Sequence, residues 1–427
     1  MHKQSRSVGV RSFMRRTVAS SLYTNAVYMM MSQGVLALLG FFFWVIVARY
    51  YTAAELGYSS AIISAIGLVA LIGRLGLDSF VVRFLSGSTN PARIINTALT
   101  YSGMATAFVA LVTAVGLRLW TPSLGFVATQ PIFLAAFVAF AIASSLSTIA
   151  GAGFIAGRQS KYLMLKDTVF GASKLFLPFL FLQRFHAFGI VASWGLATAL
   201  GLVAGLFLFM PRVLAGYTPR PSVGDRLVRR AWGFSGMSYL ANLLAAAPAF
   251  LVPIIVIGAL GPEENAYFYV AWAIATIVFF IPQSLAQSLL AEGAHHRRRL
   301  RHDIRRAIVF SFALLLPVTI LVWLLGEQLL LAFGANYSER SFQVLRVLML
   351  ASLPLSVTRP FFSVLRIRGH LRELLAWRIA LTLVLLGMSY MLLPAFGLEV
   401  IGWIWLTVHS IFALATIVLR GRLWLWA

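Results

Sequence analysis

Apolar residues come in long runs along this chain, and polar residues either gather between the runs or recur at helical spacing within them. Roughly 20 apolar residues in a helix cross about 30 Å of hydrocarbon. Runs of that length fall near 22 to 48, 57 to 84, 94 to 118, 131 to 157, 163 to 183 and 187 to 211. After a polar break they resume near 232 to 259, 266 to 291, 307 to 333, 341 to 365, 374 to 394 and 398 to 419. The pattern predicts an all-α polytopic membrane protein of about twelve transmembrane helices.

The polar break, residues 211 to 231, holds three prolines and two glycines and divides the spans six and six. Six is even, so both halves start on one side of the membrane, which predicts a parallel pseudo-repeat about the membrane normal. Short echoes support it: SLYTN (21 to 25) with SYLAN (238 to 242), and ELGY (55 to 58) with ENAY (264 to 267). The expected layout is a basic tail over 1–21, a six-helix bundle over 22–211, a linker over 212–231, a second bundle over 232–419 and a short tail over 420–427.

Composition agrees: 60% of residues are apolar, 11% are charged, and mean hydropathy is +0.88. Lys and Arg number 35 against 12 Asp and Glu, an excess that in a soluble protein would suggest nucleic acid. Here its location decides. With the N-terminus inside, the tail and the connections on its side of the membrane hold most of the basic residues. The opposite side has only Arg49, Arg118, Arg184 and Arg340, among Glu55, Glu263, Glu264, Glu327, Glu339 and Glu399. That is the asymmetry of a plasma-membrane protein with both termini in the cytoplasm. The basic excess serves orientation and attraction to anionic lipid, and nucleic acid is not an expected partner.

Other chemistry is thin. The chain has no Cys, hence no disulfide and no thiolate metal site. The N-terminal segment reads as an uncleaved first span, because its apolar stretch is too long for a cleaved signal. No nucleotide-binding signature occurs and no loop is long enough for an added domain, so neither enzymatic activity nor a cofactor is expected. His295, His296 and His302 lie in an arginine-rich run and read as a solvated loop, not a metal site.

With Arg83, Lys166 and Arg366 counted among the cytoplasmic connections and Arg118 on the opposite side, five basic residues remain within the spans: Arg74, Lys174, Arg346, Arg359 and Arg378. Arg378 sits near the cytoplasmic end of its span and reads as snorkelling, as Arg346 does toward the other face. Arg74, Lys174 and Arg359 lie deeper, where each costs roughly 2.5–3.5 kcal/mol on insertion scales. Only Asp78 and Asp167 are deep enough to balance them. Asp78 is four residues from Arg74, whereas Asp167 is two turns from Lys174. The surplus points to a wet cavity that attracts an anion, with Asp78 and Asp167 as the titrating or charge-balancing groups. Polar stripes at spacings of three and four mark the faces toward it: Ser60, Ser64, Gly67, Arg74 and Asp78; Asp167, Gly171, Lys174 and Pro178; Ser235, Ser238, Asn242, Ala249 and Pro253; Thr276, Gln283 and Gln287; Ser352, Ser356, Arg359 and Ser363. Asn25, Asn242, Gln283 and Gln287 read either as cavity lining or as hydrogen-bond partners between helices.

Two long stretches, NAVYMMMSQGVLALLGFFFWVIVARYYTAAELGYSSAIISAIGLVALIGRLGLDSFVVRF and SYLANLLAAAPAFLVPIIVIGALGPEENAYFYVAWAIATIVFFIPQSLAQSLLAEG, resemble Wzx-type polysaccharide flippases. Their superfamily also contains MATE drug exporters and lipid II flippases. The resemblance implies two six-helix bundles in a V around a central cavity. It also implies outward transfer of polyprenyl-pyrophosphate-linked oligosaccharide for surface polysaccharide such as O-antigen or exopolysaccharide, alongside other assembly proteins. Cavity-facing Arg and Lys would hold the anionic headgroup, a role that falls to Arg74, Lys174, Arg359 and Arg346. The alternative is a MATE-like exporter of small organic molecules. Such exporters usually carry a functional carboxylate in a span, often the first, where this chain has Asn25 and Gln33 and no acid.

Overall fold

In the computed structural model residues 5–181, 185–293 and 300–424 are described, and Arg184, His295 and His296 lie outside them. The described residues form helices and no strand. The first half comprises α1 (Ser5–Tyr50), α2 (Ala53–Gly73), α3 (Leu77–Phe84), α4 (Pro91–Trp120), the single turn α5 (Phe126–Thr129), α6 (Pro131–Ala156), α7 (Ser160–Phe181) and α8 (His186–Val203). Helix α8 continues through a π-helical stretch, Ala204–Phe209, into α9 (Met210–Val213). The second half comprises α10 (Asp225–Leu260), α11 (Pro262–Gly293), α12 (Leu300–Leu331), α13 (Ala335–Ile367), α14 (Leu371–Phe396) and α15 (Val400–Trp424).

Among the described residues eleven helices are long and apolar enough to cross a membrane. The twelfth expected span, α7, is 22 residues long but carries Lys161, Lys166, Asp167 and Lys174. Helix α1 differs from the expected layout: it is already helical from Ser5, within the segment read as a tail, and no proline interrupts it.

The halves repeat their packing. Helix α1 lies on α7 as α10 lies on α14; α4 pairs with α6 as α12 does with α13; α6 with α8 as α13 with α15. The echoed ELGY and ENAY segments meet where the bundles touch. Asn265 Nδ2 donates to the Gly57 carbonyl at 2.8 Å and to Ser60 Oγ at 3.1 Å. Their approach requires Gly57, since a Cβ there would stand 1.7 Å from the Pro262 carbonyl oxygen. This is the face assigned to the outside by charge. Trp44 on Tyr269 and Phe41 on Phe333 close it with edge-to-face rings.

Local sequence explains the ends of α2. Thr52 and Glu55 form a capping box, Thr52 Oγ1 accepting from the Glu55 amide and Glu55 Oε2 from the Thr52 amide, which satisfies two orphan donors of the first turn. At the other end the expected span of 57 to 84 proves to be two helices. Leu75 (φ 53°) and Gly76 (φ 72°) turn left-handed, a conformation glycine adopts without steric penalty, and α3 restarts with Asp78 in its first turn. Tyr239 of α10 fills the break and donates its hydroxyl to the Ile72 carbonyl at 2.7 Å. Arg74 therefore caps the C-terminal end of α2. It does not lie deep in a continuous span, as the sequence alone suggested.

The linker lies along the start of α4. Asn96 Nδ2 donates to the Thr218 carbonyl at 3.0 Å, and the Tyr217 hydroxyl donates to Asn96 Oδ1 at 2.9 Å.

Candidate functional site: two cation-lined cavities

The small-residue face of α2 builds the first cavity. Ser64, Gly67, Ala70 and Arg74 line it together with Leu36, Gly40 and Trp44 of α1 and Tyr269, Trp272 and Thr276 of α11; Ser144, Thr148 and Trp194 complete the wall. Its volume is about 490 Å³ and it lies between the bundles. Among the described residues Arg74 is the only charged one in its lining, and Asp78 Oδ2 lies 3.5 Å from Arg74 Nη1. Ahead of its cavity-lining residues α1 is open: Met30 is 72% exposed, and Gln33, Gly34 and Leu38 are exposed too. On the other flank α2 and α3 stay against α10 through Tyr239.

The second cavity, about 370 Å³, lies inside the second bundle. Asn242 and Ala249 of α10, Trp272, Thr276 and Gln283 of α11, Arg359 and Phe362 of α13, Arg378 of α14 and Trp405 and His409 of α15 line it. Ala249, Trp272 and Thr276 line both cavities, so the two adjoin at those three side chains. Arg359 Nη1 donates to Gln283 Oε1 at 2.7 Å. The Arg378 guanidinium lies 3.7 Å over the Phe362 ring. Arg378 is 6% exposed, which corrects its reading as a snorkelling residue. Arg366, counted by sequence among the cytoplasmic charges, is half-buried and bonds Asn242 Oδ1.

Lys174 lines neither cavity. It stands behind the first, where a Cβ on Gly40 would be 3.6 Å from its Nζ. Phe43 and Phe170 flank it at 5.5 and 4.7 Å, a cation–π setting. Arg346 also lies away from both; its guanidinium covers Trp323 at 4.1 Å. Asp167 pairs with Lys166 at 2.7 Å and accepts from Ser32. Lys166, which the sequence reading placed in a cytoplasmic connection, is buried and also donates to Ser147 Oγ at 3.1 Å. Asn25 accepts the Ser160 amide at 2.9 Å and so serves the start of α7; Gln287 is exposed and lines neither cavity.

The sequence reading overlooked His409, a titratable residue midway along the last apolar run, and misjudged Arg378 and Lys166. For Lys166 the signal was Gly201 and Gly205, one turn apart on the opposing helix. Cβ atoms there would lie 3.3 Å from the Lys166 carbonyl oxygen and 3.2 Å from its Cδ, so the glycines make the groove that takes its stem.

With this geometry, comparison with known proteins is informative. A MatE family model matches residues 240–391, which lie within the second bundle. No curated protein sequence matches the chain. Among solved structures, an inward-facing multidrug resistance MATE family transporter of the MOP superfamily superposes with TM-score 0.66 at 17% identity, over 93% of this chain and 97% of that one. The outward-facing form of a transporter so described gives TM-score 0.64 at 16% identity, over 94% of each chain. A MOP superfamily transporter from Pyrococcus furiosus, described as having a binding pocket of reverse polarity, gives 0.59 at 17% identity, over 94% of this chain and 95% of that one. The chain has the MATE transporter fold.

Proposed function

We propose that this protein is a flippase that moves a polyprenyl-pyrophosphate-linked oligosaccharide from the cytoplasmic to the outer leaflet by alternating access. The observation that carries the reading is the charge of the cavities: among the described residues guanidinium groups line both and no carboxylate lines either. Arginine presents planar, charge-assisted donors suited to phosphate oxygens. Arg74 stands at the inner end of the inter-bundle cavity, where a headgroup would enter from the cytoplasmic leaflet. Lys174 adds positive potential from behind Gly40, and Ser64, Ser144, Thr148 and Thr276 offer partners to sugar hydroxyls. The exposed face of α1 from Val27 to Leu38 supports a substrate whose tail stays in lipid while its head enters. An inside-negative membrane adds about 2.3 kcal/mol per 100 mV for each negative charge moved outward.

The aromatic lining of the first cavity, Phe41, Trp44, Trp194, Tyr269 and Trp272, favours a second reading, export of small organic molecules.

Reconstitution in liposomes separates the two. Under the flippase reading, wild type exposes a pyrophosphate-linked oligosaccharide on the opposite leaflet, and Arg74→Ala lowers the rate at least tenfold while Arg74→Lys keeps most of it. Full activity in both variants removes Arg74 from the path. Wild type that flips no such lipid but extrudes an aromatic dye sinks the flippase reading.

A further inference from the structure

The second cavity holds more positive charge than its protein surroundings satisfy. Arg378 touches Phe362 through the face of its guanidinium, and stacking leaves the in-plane N–H donors unused. Its Nε is buried and has no acceptor. Arg359 gives one donor to the neutral amide oxygen of Gln283, and its Nε is likewise buried without an acceptor. His409, 5% exposed, lines the same space and has Nδ1 2.9 Å from the Trp405 carbonyl. Buried charges in proteins are paired, hydrogen-bonded or ligated, and among the described residues no Asp or Glu lines this cavity.

We propose that the second bundle binds an oxyanion of the phosphate class between Arg359 and Arg378, inside the bundle and apart from the inter-bundle cavity. About 370 Å³ lies within the range of small-ligand pockets, and an oxyanion supplies the in-plane acceptors that both guanidinium groups lack. The shared lining of Ala249, Trp272 and Thr276 puts this site next to the central cavity, so the oxyanion has two sources: free phosphate or pyrophosphate, or the headgroup of a lipid-linked substrate. The site does not depend on the flippase reading.

The test uses the full chain in detergent, with inorganic pyrophosphate titrated at constant ionic strength and chloride as control. Pyrophosphate should raise the unfolding temperature of wild type by several degrees, increasing with the logarithm of its concentration, as a ligand specific to the folded state does. Arg378→Gln should abolish the shift and, without anion, unfold no lower than wild type, because it removes an unpaired buried charge. Arg378→Lys should keep part of the shift, and Arg372→Gln, on the exposed side of α14, should keep all of it.

An equal shift in wild type and Arg378→Gln overturns the site, as does no shift in wild type together with a lower unfolding temperature for Arg378→Gln. The source is decided in liposomes. If pyrophosphate inhibits flipping by wild type, the headgroup uses the site; flipping unaffected at saturating pyrophosphate assigns it to the free ion. Pyrophosphate binding by a protein that flips nothing would leave the site standing and the flippase reading refuted.

Discussion

The two bundles share a helix-pairing scheme and treat buried charge in opposite ways. In the first, Lys166 and Asp167 neutralise one another at 2.7 Å, with Ser32 and Ser147 completing their hydrogen bonds. Lys174, the other deep cation there, is wrapped by two aromatic rings. In the second, Arg359 and Arg378 face a cavity that no carboxylate among the described residues lines. Around Lys166 and Lys174 the first bundle thus answers buried charge with its own side chains, whereas around Arg359 and Arg378 the second offers only a neutral amide and a ring face. Halves that share a packing scheme therefore differ in how their buried cations are answered.

The sharpest way to break that contrast is to unbalance the first bundle. Asp167→Asn leaves Lys166 buried without its counter-charge, and losing one member of such a pair costs about 3–5 kcal/mol. Unfolding followed in detergent should show that loss, and Lys166→Met combined with Asp167→Leu should recover most of it. Arg378→Gln in the second bundle carries the opposite expectation, unfolding no earlier than wild type. If Asp167→Asn is neutral, the two bundles do not differ in the way described.

A smaller effect is expected where the bundles meet. Gly57→Ala places a Cβ against the Pro262 carbonyl, which belongs to backbone and cannot swing away. Overpacking of this sort costs about 1–3 kcal/mol, here charged to the conformation in which the outer ends touch. Gly67→Ala is the internal control, because its Cβ would meet the Phe250 ring at 2.4 Å, and a side chain can rotate. Because the chain has no native Cys, a pair of cysteines at Tyr50 and Asn336 can carry spin labels without background. Gly57→Ala should broaden their distance distribution to longer values, and Gly67→Ala should leave it nearly unchanged.

Much of this architecture was legible in the sequence, because a membrane span is a crude signal: length and hydropathy suffice. The two halves were legible from the polar linker and from ELGY and ENAY, which turn out to touch. What stayed hidden depended on backbone conformation or on contacts between distant helices. IGRLGLD reads as a continuous helix unless Leu75 and Gly76 are known to turn left-handed, and the pairing of Arg74 with Asp78 survives only because the i, i+4 contact spans that turn. Lys166 and Arg378 looked peripheral by position; their burial follows from the Gly201 and Gly205 groove and from Phe362, each supplied by another helix. Gln283 and Asn242 do line a cavity, while Asn25 and Gln287 do not, and no spacing rule distinguishes those pairs.

The smallest expected effect concerns the latch between the outer ends. Helix α12 ends with carbonyls that have no partner of their own. Arg49, at the end of α1, donates Nε to the Ala332 carbonyl at 2.7 Å and Nη2 to the Leu331 carbonyl at 2.5 Å. A cation at a helix C-terminus is also favoured by the helix dipole. Because Arg49 is exposed, screening by water and salt limits the contact to about 1 kcal/mol, roughly a fivefold change in an equilibrium between closed and open outer ends. Arg49→Gln should therefore raise the long-distance population of the labels at Tyr50 and Asn336 by about that factor, and high salt should do the same in wild type but little in the variant. A response to salt that survives unchanged in Arg49→Gln would show that Arg49 is not the latch; the Arg340 and Glu264 pair at 2.7 Å lies wholly within the second bundle and cannot replace it.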